Sequence, residues 1–217
     1  PSEITDNPNI PANLNILIEA GLEQLIFGNL SLKEVKGLLR LGNNLVSLED
    51  FTARGLGGQI QLSGSYSSPK SKPAAFAFYY DLQKIDFQES FKSLNTFRVL
   101  FPIGKYVAGS YSSNLFLSGN LGKGLVPDTR SMEGKGYLET HNAIVTDLPI
   151  LNELGKQLNI RALQQSVNIG SSKNWFELRE GFVEVPDFHL QAGQTDMVVG
   201  GRHGIDQRLD YTIQTAI

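Results

Sequence analysis

The stretch that most constrains the fold is Leu38–Gly64, LLRLGNNLVSLEDFTARGLGGQIQLSG. Leu39 and Leu41 alternate with Arg40, and Gly42-Asn43-Asn44 follows as a turn. Val46 and Leu48 alternate with Ser47 and Glu49 and lead to Gly55-Leu56-Gly57-Gly58. Ile60 and Leu62 alternate with Gln59, Gln61 and Ser63 before Gly64 closes the run. An apolar period of two puts every second side chain on one face of a strand, and Gly and Asn permit the tight turns between strands. The stretch therefore reads as three short strands of a half-buried antiparallel meander.

The same pattern recurs. Residues 175–201, WFELREGFVEVPDFHLQAGQTDMVVGG, align with 38–64 without a gap. Leu39, Leu41, Val46, Leu48, Asp50, Phe51 and Gly64 fall on Phe176, Leu178, Val183, Val185, Asp187, Phe188 and Gly201. Self-similarity at a fixed offset implies one strand-turn unit used twice. Asp50-Phe51 and Asp187-Phe188, kept in both copies, read as a corner in which Asp accepts a backbone N–H and Phe fills the core.

The remainder fits around these units. Residues 1–11 are polar and proline-rich, a lead-in or linker, and 12–217 form a single β-rich domain. Leu14, Ile16 and Ile18 mark a first strand. The change of phase between Leu32 and Val35 marks a bulge or twist. Phe76, Phe78, Tyr80 and Leu82 share one strand face, with Ala75, Ala77 and Tyr79 on the other. Asp86, with Glu89 three positions on, signals a helix start, and Phe87, Phe91 and Leu94 form one helix face. Asp147 is placed as the cap of a second helix striped by Leu151, Leu154 and Leu158. Leu209, Tyr211 and Ile213 give the last alternating set.

The expected fold is mainly β: an antiparallel meander sheet of about a dozen strands, curled or groove-like, with two short amphipathic helices. An apolar sheet face must be buried. Two short helices cover only part of it, so the rest curls over itself, packs on another sheet or holds an apolar ligand.

Chemistry-bearing residues are sparse. The chain has 217 residues, no cysteine and a net charge of −3, which excludes disulfides and thiolate metal sites and gives no electrostatic reason to bind nucleic acid. No run approaches the roughly 20 apolar residues of a membrane span. The chain begins at Pro1 and ends at Ile217 within an alternating strand, and it is expected to be a piece of a longer protein. His141, His189 and His203 lack the spacing of a zinc pair, and His203 beside Gly204 reads as a turn residue. Gly55–Gly58 and Gly122-Lys123-Gly124 lie between strands rather than opening a helix, which is the wrong setting for a phosphate loop. Glu177, Glu180, Asp206 and Asp210 read as ordinary sheet-surface acids. No catalytic residue, metal or cofactor is expected. What remains is the set of apolar strand faces: Ile60, Leu62, Phe76, Phe78, Tyr80, Leu115, Leu117, Val183, Val185, Met197 and Val199 are candidates to line a common interior. The residues alone leave open whether that interior is a closed core, as in a sandwich.

Three segments carry a family resemblance. They are Gly58-Gln59-Ile60-Gln61-Leu62-Ser63-Gly64; Gly134-Lys135-Gly136-Tyr137-Leu138 leading into Asp147-Leu148-Pro149-Ile150-Leu151; and Phe182–Phe188 followed by Gly200-Gly201 and Gly204–Tyr211. Their order resembles the C-terminal domain of the AsmA-like proteins of outer-envelope biogenesis, relatives of TamB, over nearly the whole chain from about residue 12. The resemblance implies a periplasmic module of a parent protein anchored in the membrane by a segment outside this chain. It implies a curled sheet whose apolar groove conducts phospholipid, or another envelope lipid, between inner and outer membrane without enzymatic chemistry, and makes the candidates above its lipid-groove lining. The alternative role is a structural or interaction module that assists outer-membrane protein assembly, with assembly proteins pairing to exposed sheet edges.

Overall fold

A computed structural model of the chain describes residues 10–11, 13–69, 72–157, 159–164, 166–192, 195–206 and 208–215. Residues 1–9 of the expected lead-in, and Leu158 of the expected helix stripe, lie outside them. Among the described residues the chain forms twelve strands. They are β1 (Asn15–Phe27), β2 (Leu30–Gly42), β3 (Leu45–Gly55), β4 (Gly58–Ser67), β5 (Ala74–Asp86), β6 (Val107–Leu121) and β7 (Glu133–Thr146). After them come β8 (Ser166–Gly170), β9 (Lys173–Arg179), β10 (Phe182–Ala192), β11 (Thr195–Gly204) and β12 (Leu209–Thr215). All belong to one open antiparallel sheet in the order β1-β2-β3-β4-β5-β6-β7-β9-β10-β11-β12, with β8 pairing β7 beside β9. The mainly β fold read from the sequence is the fold observed.

The turns explain why the chain order becomes the strand order. Asn43 and Asn44, with φ 53° and 60°, form the two-residue connection from β2 to β3, and Leu56 and Gly57, with φ 53° and 80°, join β3 to β4. Two successive positive φ values give the turn whose twist matches that of the strands it joins. Leu56 accepts a conformation that β-propensity alone disfavours, because a longer loop would break the hairpin register. The second copy repeats the device: Glu180 and Gly181, with φ 52° and 78°, join β9 to β10.

The internal repeat is real in three dimensions. At its constant offset, the ends of β3 (Leu45, Gly55) fall on those of β10 (Phe182, Ala192), and the ends of β4 (Gly58, Ser67) on those of β11 (Thr195, Gly204). Each copy carries a register shift at the same place, Leu48/Phe51 in one and Val185/Phe188 in the other. The conserved spacing of Asp50 and Asp187 therefore marks a β-bulge, and Asp50 takes the left-handed conformation there with φ 49°. Both carboxylates are exposed, and neither accepts a backbone N–H among the described residues. That corrects the capping role expected for them: Asp50 is an exposed residue of its bulge, and the Asp187 carboxylate lies against Gly200 of β11. The copies differ at β2, whose counterpart is broken into β8 and β9 at Ser171-Ser172. A second bulge, between Lys33 and Lys36 with Glu34 at φ 52°, accounts for the phase change between Leu32 and Val35.

Helices occupy one end of the sheet. Helices α1 (Phe87–Ser93) and α2 (Asn95–Leu100), then a 3₁₀ turn at Pro102–Tyr106, connect β5 to β6. Helix α3 (Pro149–Gln157) and a 3₁₀ turn at Arg161–Gln164 connect β7 to β8. The structure thus contains three short helices where two were expected, because Leu94 interrupts the first with extended φ/ψ. Asp86 caps α1 by accepting the Glu89 N–H at 2.8 Å. Leu148, not Asp147, is the N-cap residue of α3, because its carbonyl accepts the first intrahelical bond, from Asn152 N–H at 3.1 Å.

Candidate functional site

Strand registers carry one apolar face across the whole sheet. Ile18, Leu39, Leu48, Gly64, Phe78, Leu117, Gly134, Leu178, Val183, His203 and Leu209 pair in succession from β1 to β12. Eleven strands at a spacing of about 4.8 Å make this row roughly 48 Å long. Every sequence candidate lies on this face, but its environment differs along it.

At the helical end the face is a closed core. Ile60 and Met197, with Val199 packed against them, belong to a buried cluster that includes Val35, Ile85, Phe87, Tyr111 and Leu163. Ile85 and Phe87 are fully buried. The Phe87 ring lies 4.8 Å from Tyr111 and 5.7 Å from Phe101, so α1 and α2 are fastened to β6 by aromatic contacts. The Tyr111 hydroxyl sits 3.0 Å from Ser90 Oγ, which itself donates to the Asp86 carbonyl, so Tyr111 is the donor. Burial pushes the Tyr111 hydroxyl up to about 12.

A second cluster, Leu117, Met132, Leu178 and Val183, takes in Phe76, Tyr80, Leu115 and Val185. Leu100 of α2 covers it. Burial also raises the Tyr80 hydroxyl. His203 fastens that cover: its Nε2 lies 2.9 Å from the Leu100 carbonyl and its Nδ1 3.0 Å from the Tyr211 hydroxyl. A carbonyl only accepts, so Nε2 carries the proton and Nδ1 receives the Tyr211 O–H. Desolvation lowers the His203 pKa, partly offset by the bond to Leu100. His203 is therefore a buried residue of β11 and not a turn residue. Alternation runs through Gly201 and His203, which the adjacent Gly204 obscures in the sequence.

Leu62 and Phe78 belong to neither cluster. Gly64 makes room for Phe78, since a Cβ there would collide with the Phe78 ring and the Ala77 carbonyl. The rings of Phe76 and Tyr80 flank Phe78 at 6.3 and 6.2 Å. Around them, Leu39, Leu41, Val46 and Leu48 are also outside both clusters, and Ile16 and Ile18 are 41% and 44% exposed. This apolar area, at the loop end of β1–β5, has no helix over it among the described residues. Nine of the eleven candidates thus belong to the two buried clusters or pack against them, while Leu62 and Phe78 are half-buried outside both, beside residues that the sequence showed as strand but did not single out.

The opposite face is polar with an aromatic exception. Tyr79, Phe116, Lys135, Glu177, Glu184, Arg202 and Asp210 pair in succession from β5 to β12. Beside them Asn114, Tyr137 and Trp175 form a parallel row. Together they line a concavity of about 820 Å³. The Tyr137 and Trp175 rings meet edge to face at 5.4 Å, with Lys173 Nζ 3.7 Å above Tyr137. Sequence reading missed this site, although large rings at the polar phase of a strand were the available signal.

Among the described residues no group of three or more His, Asp or Glu side chains is arranged to hold a metal. Among the described residues no helix is long and apolar enough to cross a membrane. No family model, curated protein or solved structure matches the chain.

Proposed function

We propose that the chain is a non-enzymatic periplasmic module of an AsmA-like envelope protein, shielding or transferring phospholipid acyl chains between the inner and outer membranes. The observation that supports this reading is the half-buried apolar area around Phe78, Leu62 and Leu48, which lies outside both buried clusters. Each CH₂ kept out of water is worth about 0.8 kcal/mol, so such a surface lowers the cost of carrying an acyl chain through water. The headgroup stays in solvent, and no ionisable group need enter the face. The closed helical end, with Ile85 and Phe87 fully buried, supplies a rigid floor.

A photo-crosslinking residue at position 78, introduced into the parent protein in its own envelope, tests the reading. Lipid adducts at 78, with none at the buried position 85, are expected. Absence of lipid at both positions, with the protein folded, refutes acyl-chain carriage. One observation favours the alternative, a module that pairs with outer-membrane assembly proteins. The outer strand β1 leaves Ile16, Leu17 and Ile18 exposed along a 13-residue edge, which is a template for strand addition. Adducts between position 17 and another protein, in place of lipid at 78, identify that role.

A further inference from the structure

We propose that the polar face of the sheet from β5 to β12 is a second binding site, for a neutral linear saccharide. It lies on the side opposite the apolar face and is independent of the lipid reading. The starting point is an anomaly of patterning. Tyr79, Phe116 and Trp175 point to the polar side of their strands yet are 48%, 39% and 61% exposed. Exposed rings grouped in one concavity serve recognition more often than folding, because no core packs on them.

The chemistry around the rings selects the occupant. Lys135 and Arg202 line the concavity together with Glu177, Glu184 and Asp210, and Lys173 reaches over Tyr137. The two signs balance. An anion meets three carboxylates there, a cation meets three cationic side chains, and an acyl chain leaves all of them without water. A sugar fits both features: its C–H face packs on an aromatic ring, and its hydroxyls donate to carboxylates and accept from Lys and Arg. Glu177 and Glu184 sit directly opposite each other across β9 and β10. Two like charges so placed cost stability, which Arg179, 3.9 Å from Glu177, and Arg202, opposite Glu184, offset only at exposed positions. A ligand that donates hydroxyl hydrogens to both relieves that cost.

Size and shape agree. About 820 Å³ lies within the range of small-molecule sites. The row from Tyr79 to Asp210 crosses seven strands, about 29 Å at sheet spacing, which suits an extended oligosaccharide rather than one sugar ring.

Trp175 is the chain's single tryptophan, so its fluorescence reports on this face directly. The intact chain is titrated with chitotetraose and with cellotetraose, and isothermal titration calorimetry on the same samples detects binding that leaves the emission unchanged. A saturable signal with at least one of these sugars is expected, little changed by added salt. Affinity is expected to fall about tenfold or more in the double variant Tyr79→Ala, Phe116→Ala, whose rings lie away from Trp175 on exposed positions. Circular dichroism establishes that the variant keeps its strands. No binding by either method up to millimolar sugar overturns the proposal. Equal binding in the double variant also overturns it, as does strong salt dependence, which indicates a charged ligand.

Discussion

His203 makes folding stability depend on pH in a direction the structure dictates. Its imidazole is 6% exposed and held neutral between the Leu100 carbonyl and the Tyr211 hydroxyl. Burial keeps its pKa below that of the unfolded chain, which is about 6.5. As pH falls through that value, the unfolded chain takes up the proton first, so the folded state loses stability toward acid. Replacing His203 with Leu removes two neutral hydrogen bonds, each worth about 0.5–1.5 kcal/mol, for a cost of about 2 kcal/mol near neutrality. For a chain of this size that corresponds to about 4–8 °C in Tm. Thermal unfolding by circular dichroism, run between about pH 8 and pH 5, compares the natural chain with His203→Leu. The gap between them is expected to narrow as pH falls, because only the natural chain pays to keep this imidazole neutral. A gap that stays constant or widens toward acid refutes the assignment of His203 as a buried neutral latch.

Three further substitutions probe the two halves of the apolar face and the helical cover. Phe87→Ala, at a fully buried ring contacting Phe97, Phe101 and Tyr111, is expected to cost about 3–5 kcal/mol in urea unfolding. Leu48→Gln, at a half-buried position outside both clusters, is expected to change stability by less than about 1 kcal/mol, whereas Val183→Gln, which is 4% exposed, costs several times more by leaving a buried amide; equal losses in the same unfolding assay refute the distinction between the two parts of the face.

Much of the architecture was legible because period-two alternation is a local signal. The strand faces of Phe76, Phe78 and Tyr80, the bulge near Val35 and the cap at Asp86 all depend on neighbours within a few residues. The repeat was legible for the same reason. What the sequence concealed depends on distant partners. Whether Ile60 joins a buried cluster and Leu62 stays half-buried outside it is decided by where α1, α2 and α3 settle, elements far from both in the chain. His203 looked like part of a turn because its partner, the Leu100 carbonyl, lies 103 residues away. The bulge at Asp50 mimicked a capping motif, since both use Asp where the backbone bends. The aromatic concavity was hidden because Tyr79, Tyr137 and Trp175 come together only through the pairing of three nonadjacent segments.

The near-identity of strand order and chain order has a consequence for how the molecule is assembled. Apart from the place where β8 and β9 both pair β7, each new strand docks on the one just made, so folding proceeds by short loop closures from any hairpin. Stability in such an array approximates a sum of neighbour terms, as in repeat proteins. A lesion in β11 is then expected to fray β12 before it reaches β3, and hydrogen exchange should record protection graded along the chain. The same arrangement lets evolution lengthen or shorten the sheet by whole hairpins, with no new topology to solve.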